Sequence, residues 1–507
     1  MRSILNLSYI HLPLQLRASF LHLGFYPADC EIERDDLVRQ WLAEGLVNNL
    51  HGRDMEVVAN SYFNELVNRS LIQPGRTKCG ELVSCRVHDM MLDLILSKCE
   101  EHNFLRVECN SEDMAREHGW KYKVRRISMN FSGGGAADET ASGTIPSNLS
   151  QVRALAHFGG STYMPPLFLF KYLRLILIKN NTSWKTIDLS AIRQLYQLSY
   201  LKVSTKTSII LPREMQGLVH LETLDLDCNW FEMPSDVVHL PRLSTFIVRK
   251  YTKLPKGIRN MKSLHTLDGF SMEWSLLEDI VGLGELTNLR CLILECASGI
   301  ITPSEAVALV SSLGMLHDLI YLCIHGSFFD TGDQLGSLSG PFHHIKVLKL
   351  CGWVMPGVPK WICGLECLSW LELNVNMCTD EFRALGELPS LVHLSLWLDS
   401  IPEDSAVIFS TGLYPVLEGF RCLSKYDVTA YLAFEAGAMP KLRRLQLQFH
   451  KDHWGGATPV GLEHLLRLED IAVRVTCCSR EVLDKADSAF RNCTQLHPNR
   501  PSCMVHG

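Results

Sequence analysis

The sequence predicts an α+β chain in two parts: a small N-terminal block rich in helices, then a long solenoid of short parallel strands and return segments. Three observations predict it. A leucine pattern recurs from about residue 161 to residue 478, at intervals of about 21 to 30 residues. Residues 1 to about 110 lack that pattern and carry apolar stripes at helical spacing instead. The composition is that of an ordinary globular protein, 47% hydrophobic and 21% charged over 507 residues.

The formal net charge of −6 gives no support for general binding to nucleic acid or a membrane surface. The 18 cysteines are scattered, often at apolar strand positions such as Cys323 and Cys422, and Cys477 and Cys478 are adjacent. They read as reduced, small apolar fillers, which makes a cytoplasmic location the expectation. Asn6, Ser8, His11 and Pro13 interrupt the first apolar run, so it does not read as a signal peptide, and no apolar run is long enough to span a membrane. The sequons at Asn130, Asn148 and Asn181 have meaning only in a secreted chain.

The N-terminal block, residues 1–110, divides cleanly. Leu16, Phe20 and Leu23 predict a helix over Pro13–Phe25, stopped by Tyr26-Pro27. Leu37 and Trp41 predict a second over Asp35–Glu44, with acids at its start and Gly45 at its end. Val58, Tyr62 and Leu66 predict a third over Val57–Leu66. Extended runs at Ser70–Gln73 and Leu82–Val87 flank Pro74-Gly75, and Leu92, Ile95 and Leu96 predict a last helix over Met90–Cys99. Three helices, a hairpin and a helix make a winged-helix plan. DNA binding by such a domain needs a basic helix. Here the third helix carries Asp54, Glu56 and Glu65 against Arg53 and Arg69, so no nucleic-acid partner is expected.

Leu7–Val47 closely resembles the winged-helix part of the nucleotide-binding module of plant NLR immune receptors, intracellular disease-resistance proteins with leucine-rich repeats. The landmarks are Leu12-Pro13, Phe20-Leu21, Pro27, Asp29, Ile32 and Trp41-Leu42-Ala43-Glu44-Gly45. Arg86-Val87-His88-Asp89 resembles the family's methionine-histidine-aspartate motif, with Val87 in the methionine place. The resemblance implies that His88 lies on the phosphate side of bound ADP and that Asp89 holds the following helix. Read without the resemblance, His88 is a packing residue and Asp89 an N-cap. The family's phosphate loop and its magnesium-binding strand are not present, and Gly133-Gly134-Gly135 lacks the following Lys-Ser/Thr. The expectation is therefore no cofactor in this chain and no ATP hydrolysis, with ADP or ATP entering only through an upstream nucleotide-binding part. Met1 falls inside what the resemblance makes a larger domain, which implies a truncated product or a true start further upstream. Without the phosphate loop and a coiled-coil region, residues 1–507 are not expected to trigger cell death alone.

The repeat itself is clearest at Leu218–Asn229, LVHLETLDLDCN, which reads L-x-x-L-x-x-L-x-L-x-x-N, the mark of a leucine-rich repeat. Leu224 and Leu226 alternate inward on a short strand, Asp225 and Asp227 outward, and Asn229 is expected to be buried and bonded to the next coil. Residues 111–160 read as a linker and irregular lead-in coils, Val124–Met129 and Leu149–His157, around a Gly/Ser-rich loop. From Phe170 the inward pairs run from Ile176/Ile178 through Leu267/Gly269 to Ile471/Val473. An L-P step recurs at Leu211-Pro212, Met233-Pro234, Leu254-Pro255 and Val358-Pro359, suited to the non-strand side. The G-x-I-P step of extracellular repeat receptors is missing. Residues 479–507 read as a capping helix, Arg480–Arg491, and a tail.

The outward residues of the strands are the predicted binding surface. The richest stretch offers Tyr321, His325, Lys349, Trp370, Glu372, His393 and Trp397, with Trp370 and His393 in equivalent places of successive coils. Trp353 is expected in the core. Asp225, Asp227 and Arg249 form a second, more polar surface suited to intramolecular restraint. No nucleophile with a base, paired carboxylates or metal-ligand spacing stands out; Cys85/His88 and Cys363/Cys367 each lack a second pair. The reading is a non-enzymatic intracellular immune receptor, or a truncated form of one, whose repeats recognise a pathogen effector or a guarded host protein, with a full-length NLR as a further candidate partner. The alternative is a non-immune scaffold such as a ubiquitin-ligase substrate adaptor.

Overall fold

A computed structural model of the protein describes residues 2–48, 52, 54–78, 81–108, 124–131, 149–160, 164–180, 186–250, 252–296, 301–326, 334–338, 342–375, 379–398, 407–424, 432–450, 456–476 and 480–507. The Gly/Ser-rich loop with Gly133–Gly135, the sequons Asn148 and Asn181, and Cys477–Cys478 lie outside them. The chain forms two compact units, Met1–Arg249 and Lys250–Gly507.

The first unit begins with α1 (Arg2–Ile10), a helix the sequence reading did not assign, and α2 (Leu14–His22), entered through Pro13. Next come β1 (Ile32–Glu33), α3 (Arg34–Glu44) and α4 (Met55–Asn68). Gly45 ends α3 in the left-handed conformation, φ 68°, which glycine adopts without strain. Asp54 caps α4 by accepting from the Glu56 amide at 2.9 Å. β2 (Gln73–Pro74) and β3 (Ser84–Arg86) pair antiparallel, and β1 completes the sheet on the other side of β3. The pairing runs on past Pro74-Gly75, since Thr77–Lys78 and Glu81–Leu82 also pair antiparallel. α5 (Asp89–Glu101) closes the block. Leu16, Phe20, Trp41, Leu66 and Ile95, from the stripes read from the sequence, are fully or almost fully buried in one core.

Parallel strands then stack in order: β4 (Arg106–Glu108), β5 (Arg126–Phe131), β6 (Ala154–Gly159), β7 (Leu175–Asn180), β8 (Tyr200–Thr205), β9 (Thr223–Asp227) and β10 (Thr245–Val248). The coils expected to be irregular already hold the register, Arg126 opposite Ala154 and Ala154 opposite Leu175. The inward pairs, Leu201/Val203 and Leu224/Leu226 among them, are fully buried. Two expectations fail in the repeat that anchors the pattern. Asn229 is exposed; its backbone amide and side-chain amide donate to Thr207 and Lys206 of the preceding coil, and the buried neighbour is Cys228. Asp225 points out of the repeat core as expected but is only 4% exposed, because the winged-helix block covers it.

The second unit continues as β11 (Thr266–Ser271), α6 (Leu277–Leu283), β12 (Cys291–Cys296), α7 (Pro303–Leu313), β13 (Tyr321–Gly326), β14 (Val347–Met355), β15 (Trp370–Val375), α8 (Thr379–Gly386), β16 (His393–Leu398), β17 (Gly419–Ser424), β18 (Arg444–His450), β19 (Asp470–Thr476), α9 (Arg480–Leu496) and β20 (Ser502–His506). The strands again form one parallel sheet in chain order. Here the inward pair Leu267/Gly269 is corrected: Gly269 takes φ 92° at a bulge, the register jumps from Asp268 to Phe270, and Phe270 enters the core in its place. The return segments hold short helices. α7 starts with a full capping box, Thr302 and Glu305 each bonding the other's backbone. α9 is the expected cap, but the tail does more than trail: β20 pairs with β19 from Ser502 to His506 and adds one more rung. No helix among the described residues is long and apolar enough to cross a membrane.

Candidate partner-binding surface

In a parallel sheet without slips, residues in register form ladders across the strands, and alternate residues share a face. On the outward face of the second unit one ladder runs Cys291, Tyr321, Val347, Trp370, His393, Gly419, Arg444. The next runs Cys323, Lys349, Glu372, Ser395, Arg421. A third holds Asn374 beside Trp397. The candidate residues fall on these ladders. Trp370 and His393 are the neighbours the spacing predicts, their ring centroids 4.5 Å apart. The Lys349 ammonium lies 4.7 Å above the centre of the Trp370 ring and 3.1 Å from the Glu372 carboxylate. Cys351 donates its thiol to Glu372 at 3.2 Å. Burial pushes the His393 imidazole below its usual range, Glu418 pulling the other way and Arg444 and Lys349 adding to the shift.

Four of the seven candidates, Lys349, Trp370, Glu372 and His393, thus form one contact cluster. Tyr321 and His325 sit on β13 at its edge, where the His325 ring lies 3.1 Å from the Cys323 sulfur. Burial pushes the Tyr321 hydroxyl up and the His325 imidazole down. Trp397 stands apart and is the most open of the aromatic candidates, at 39%. Trp353 is fully buried, as expected.

His88 and Asp89 are both exposed, while Val87 is buried. His88, not Asp89, is the N-cap of α5: its Nδ1 accepts from the Met90 amide at 3.3 Å, and Asp89 occupies the first helical position. The two side chains by themselves do not fit a polyphosphate. One imidazole already committed to a cap, beside a carboxylate, supplies neither the amide cradle nor the cation that phosphates require.

Of the second predicted surface, Arg249 donates to Asn229 and Asp227 accepts from Ser204 at 3.3 Å. Asp225 belongs to a junction the sequence did not reveal. Lys202 on β8 reaches Asp36 of α3 at 2.5 Å and Asp225 of β9 at 2.7 Å, and Arg39 holds Asp36 at 2.8 Å. Burial would raise the Asp36 carboxyl, but Lys202 and Arg39 hold it at about 2; Asp225, with burial and Asp36 against it and one shared lysine, is raised. About two helix turns on, Glu44 meets Arg126 of β5 at 2.6 Å and lies 3.3 Å from His22. Burial opposes the Glu44 charge, yet His22 and Arg126 keep it below its ordinary value. Gln40 completes the junction, accepting from Tyr26 at 2.9 Å and donating to Tyr200 at 3.4 Å. The only sequence signal was charge on the otherwise apolar-facing α3, which alone does not name a partner.

The repeats and the block before them define a class of protein, a winged helix followed by a leucine-rich-repeat solenoid. The family model for a leucine-rich repeat region matches residues 151–503, and that for a disease resistance protein winged helix domain matches residues 25–95. Disease resistance protein RGA5 of Oryza sativa subsp. japonica is 35% identical over 98% of this chain and 45% of its own length. Disease resistance protein Pik-2 of the same plant is 29% identical over 99% of this chain and 53% of its own. The chain therefore belongs to the leucine-rich-repeat proteins, among the plant NLR disease-resistance proteins. It spans about half the length of the curated relatives it matches. A leucine-rich-repeat protein of Leptospira interrogans aligns at TM-score 0.44 and 15% identity, over 79% of this chain and 99% of that one.

Proposed function

We propose that the chain is the winged-helix and repeat portion of an intracellular immune receptor in plant defence. Its repeats recognise a protein, either a pathogen effector or a host protein that the effector alters. The carrying observation is the cluster Lys349–Trp370–Glu372–His393 on the outward face of the sheet. Aromatic rings held by cations and carboxylates, on a rigid scaffold, have the composition of a binding hot spot. The chain works by binding, without catalysis, in the cytoplasm. Nucleotide enters only through an upstream part, with His88 at its edge.

The test is a two-hybrid screen of residues 1–507 against secreted pathogen proteins and host proteins, repeated with variants. Trp370→Ala and Glu372→Ala should abolish a recovered interaction, while Trp230→Ala, at an exposed site of the first unit, should leave it intact. An interaction that survives both face variants refutes this placement.

A further inference from the structure

The same face holds hydrogen-bond donors that no described residue uses. Ser395 on β16 is 5% exposed, and its hydroxyl has no hydrogen-bond partner among the described residues. The same is true of the Nε of Arg421 on β17 and of the indole N–H of Trp370 on β15. The register places Glu372, Ser395 and Arg421 on one rung and Trp370, His393 and Gly419 on the rung two residues earlier. With strands about 4.8 Å apart and alternate residues about 6.8 Å apart, the three donors sit on Cα atoms within about 12 Å. Buried donors left unmade are costly and rare.

Shape and charge point the same way. Ser395 and Gly419 are the small residues of this block, and the His393 ring leans over Gly419, where an added Cβ would lie 2.5 Å from its Nδ1. Only a hydroxymethyl group and a glycine hydrogen therefore stand between the indole and the guanidinium on these two rungs. Lys349 is neutralised by Glu372, whereas among the described residues no carboxylate pairs with Arg421. Arg444, next on the ladder after Gly419, lies 3.9 Å from Asp470. Arg421 thus stands as a cation that no carboxylate among the described residues answers. The indole and the guanidinium can only donate, and an ionised carboxylate can only accept.

We infer that the donors of Trp370, Ser395 and Arg421 together make a carboxylate subsite, which takes an Asp or Glu side chain of the protein partner. This rests on the reading of the face as the partner-binding surface. The carboxylate enters between indole and guanidinium, takes the Arg421 Nε–H and the Ser395 hydroxyl, and brings the Trp370 N–H a partner. Charge-assisted bonds of this kind are the stronger class, so the acidic residue should be an anchor of the interaction.

The experiment selects phage-displayed random dodecapeptides on the full chain, with the selected peptides titrated against variants. The expected result is enrichment of Asp or Glu at one position, and a loss of about tenfold or more in affinity on Arg421→Leu or Ser395→Ala. Arg421→Lys should restore part of the loss. Binders without acidic enrichment, no binders, or affinities unmoved by both variants would overturn the subsite. The two readings fail separately: a partner protein lost on Trp370→Ala but indifferent to Arg421→Leu and Ser395→Ala keeps the face and removes the carboxylate, and indifference to all three removes both. Circular dichroism of each variant checks that the fold is kept.

Discussion

Lys202→Met should cost more than any other single charge removal in the first unit. The lysine is shared by two carboxylates that are 7% and 4% exposed, Asp36 and Asp225. Its removal deletes both ion pairs at once and leaves Asp225 with no cation of its own, while Arg39 still serves Asp36 at 2.8 Å. Breaking a buried pair from one side typically costs about 3–5 kcal/mol, most of it the penalty of the stranded charge. The loss should depend on pH with a definite sign. Asp225 already has a raised pKa, and without Lys202 it rises further, so the folded variant binds a proton where the unfolded chain does not. The variant therefore regains stability, relative to the native protein, as pH falls from 7 toward 4. The native protein keeps the Asp36 contribution above about pH 4 and loses it as pH falls toward about 2, the value at which Asp36 is held. Urea unfolding followed by fluorescence of Trp41, which is fully buried in this unit, reads both effects. Adding Asp225→Asn to Lys202→Met should recover much of the loss. A cost below about 1 kcal/mol, the range of an exposed pair, or a gap that does not change with pH, refutes the argument that these charges are buried and mutually dependent.

Other outcomes are sharper because they set two residues against each other. Trp353→Ala should destabilise the second unit by about 3–5 kcal/mol in urea unfolding. Trp397→Ala on the open face should stay within about 0.5 kcal/mol. His88→Ala should cost about 1 kcal/mol through loss of the α5 cap, and Asp89→Ala less, read by thermal unfolding; the reverse order would return the cap to Asp89. Gly419→Ala should shift the imidazole resonances of His393 in two-dimensional NMR while Gly364→Ala, which meets nothing within 4 Å, leaves them in place.

How much of this was legible in the chain follows from what a short pattern encodes. Alternation along a strand fixes which side chains are inside, so almost every inward pair was readable, as was the pairing of Trp370 with His393. It cannot fix what a backbone irregularity does, and at Gly269 a positive φ moves the inward place by one residue to Phe270. Nor does a repeat pattern state which neighbour a polar residue serves. Asn229 matches its consensus place, yet bonds backward to Lys206 and takes Arg249 on its other side. The same limit hid the junction in the first unit. Outward on a strand means solvent only if nothing packs there, and Asp225 is outward and buried because α3 brings Asp36 and Arg39 against β8 and β9. The hidden residues at Ser395 and Arg421 are of this kind too. Each is an ordinary outward polar residue in the sequence, and only the register that sets them beside Trp370 turns three unrelated donors into one place where an acceptor belongs.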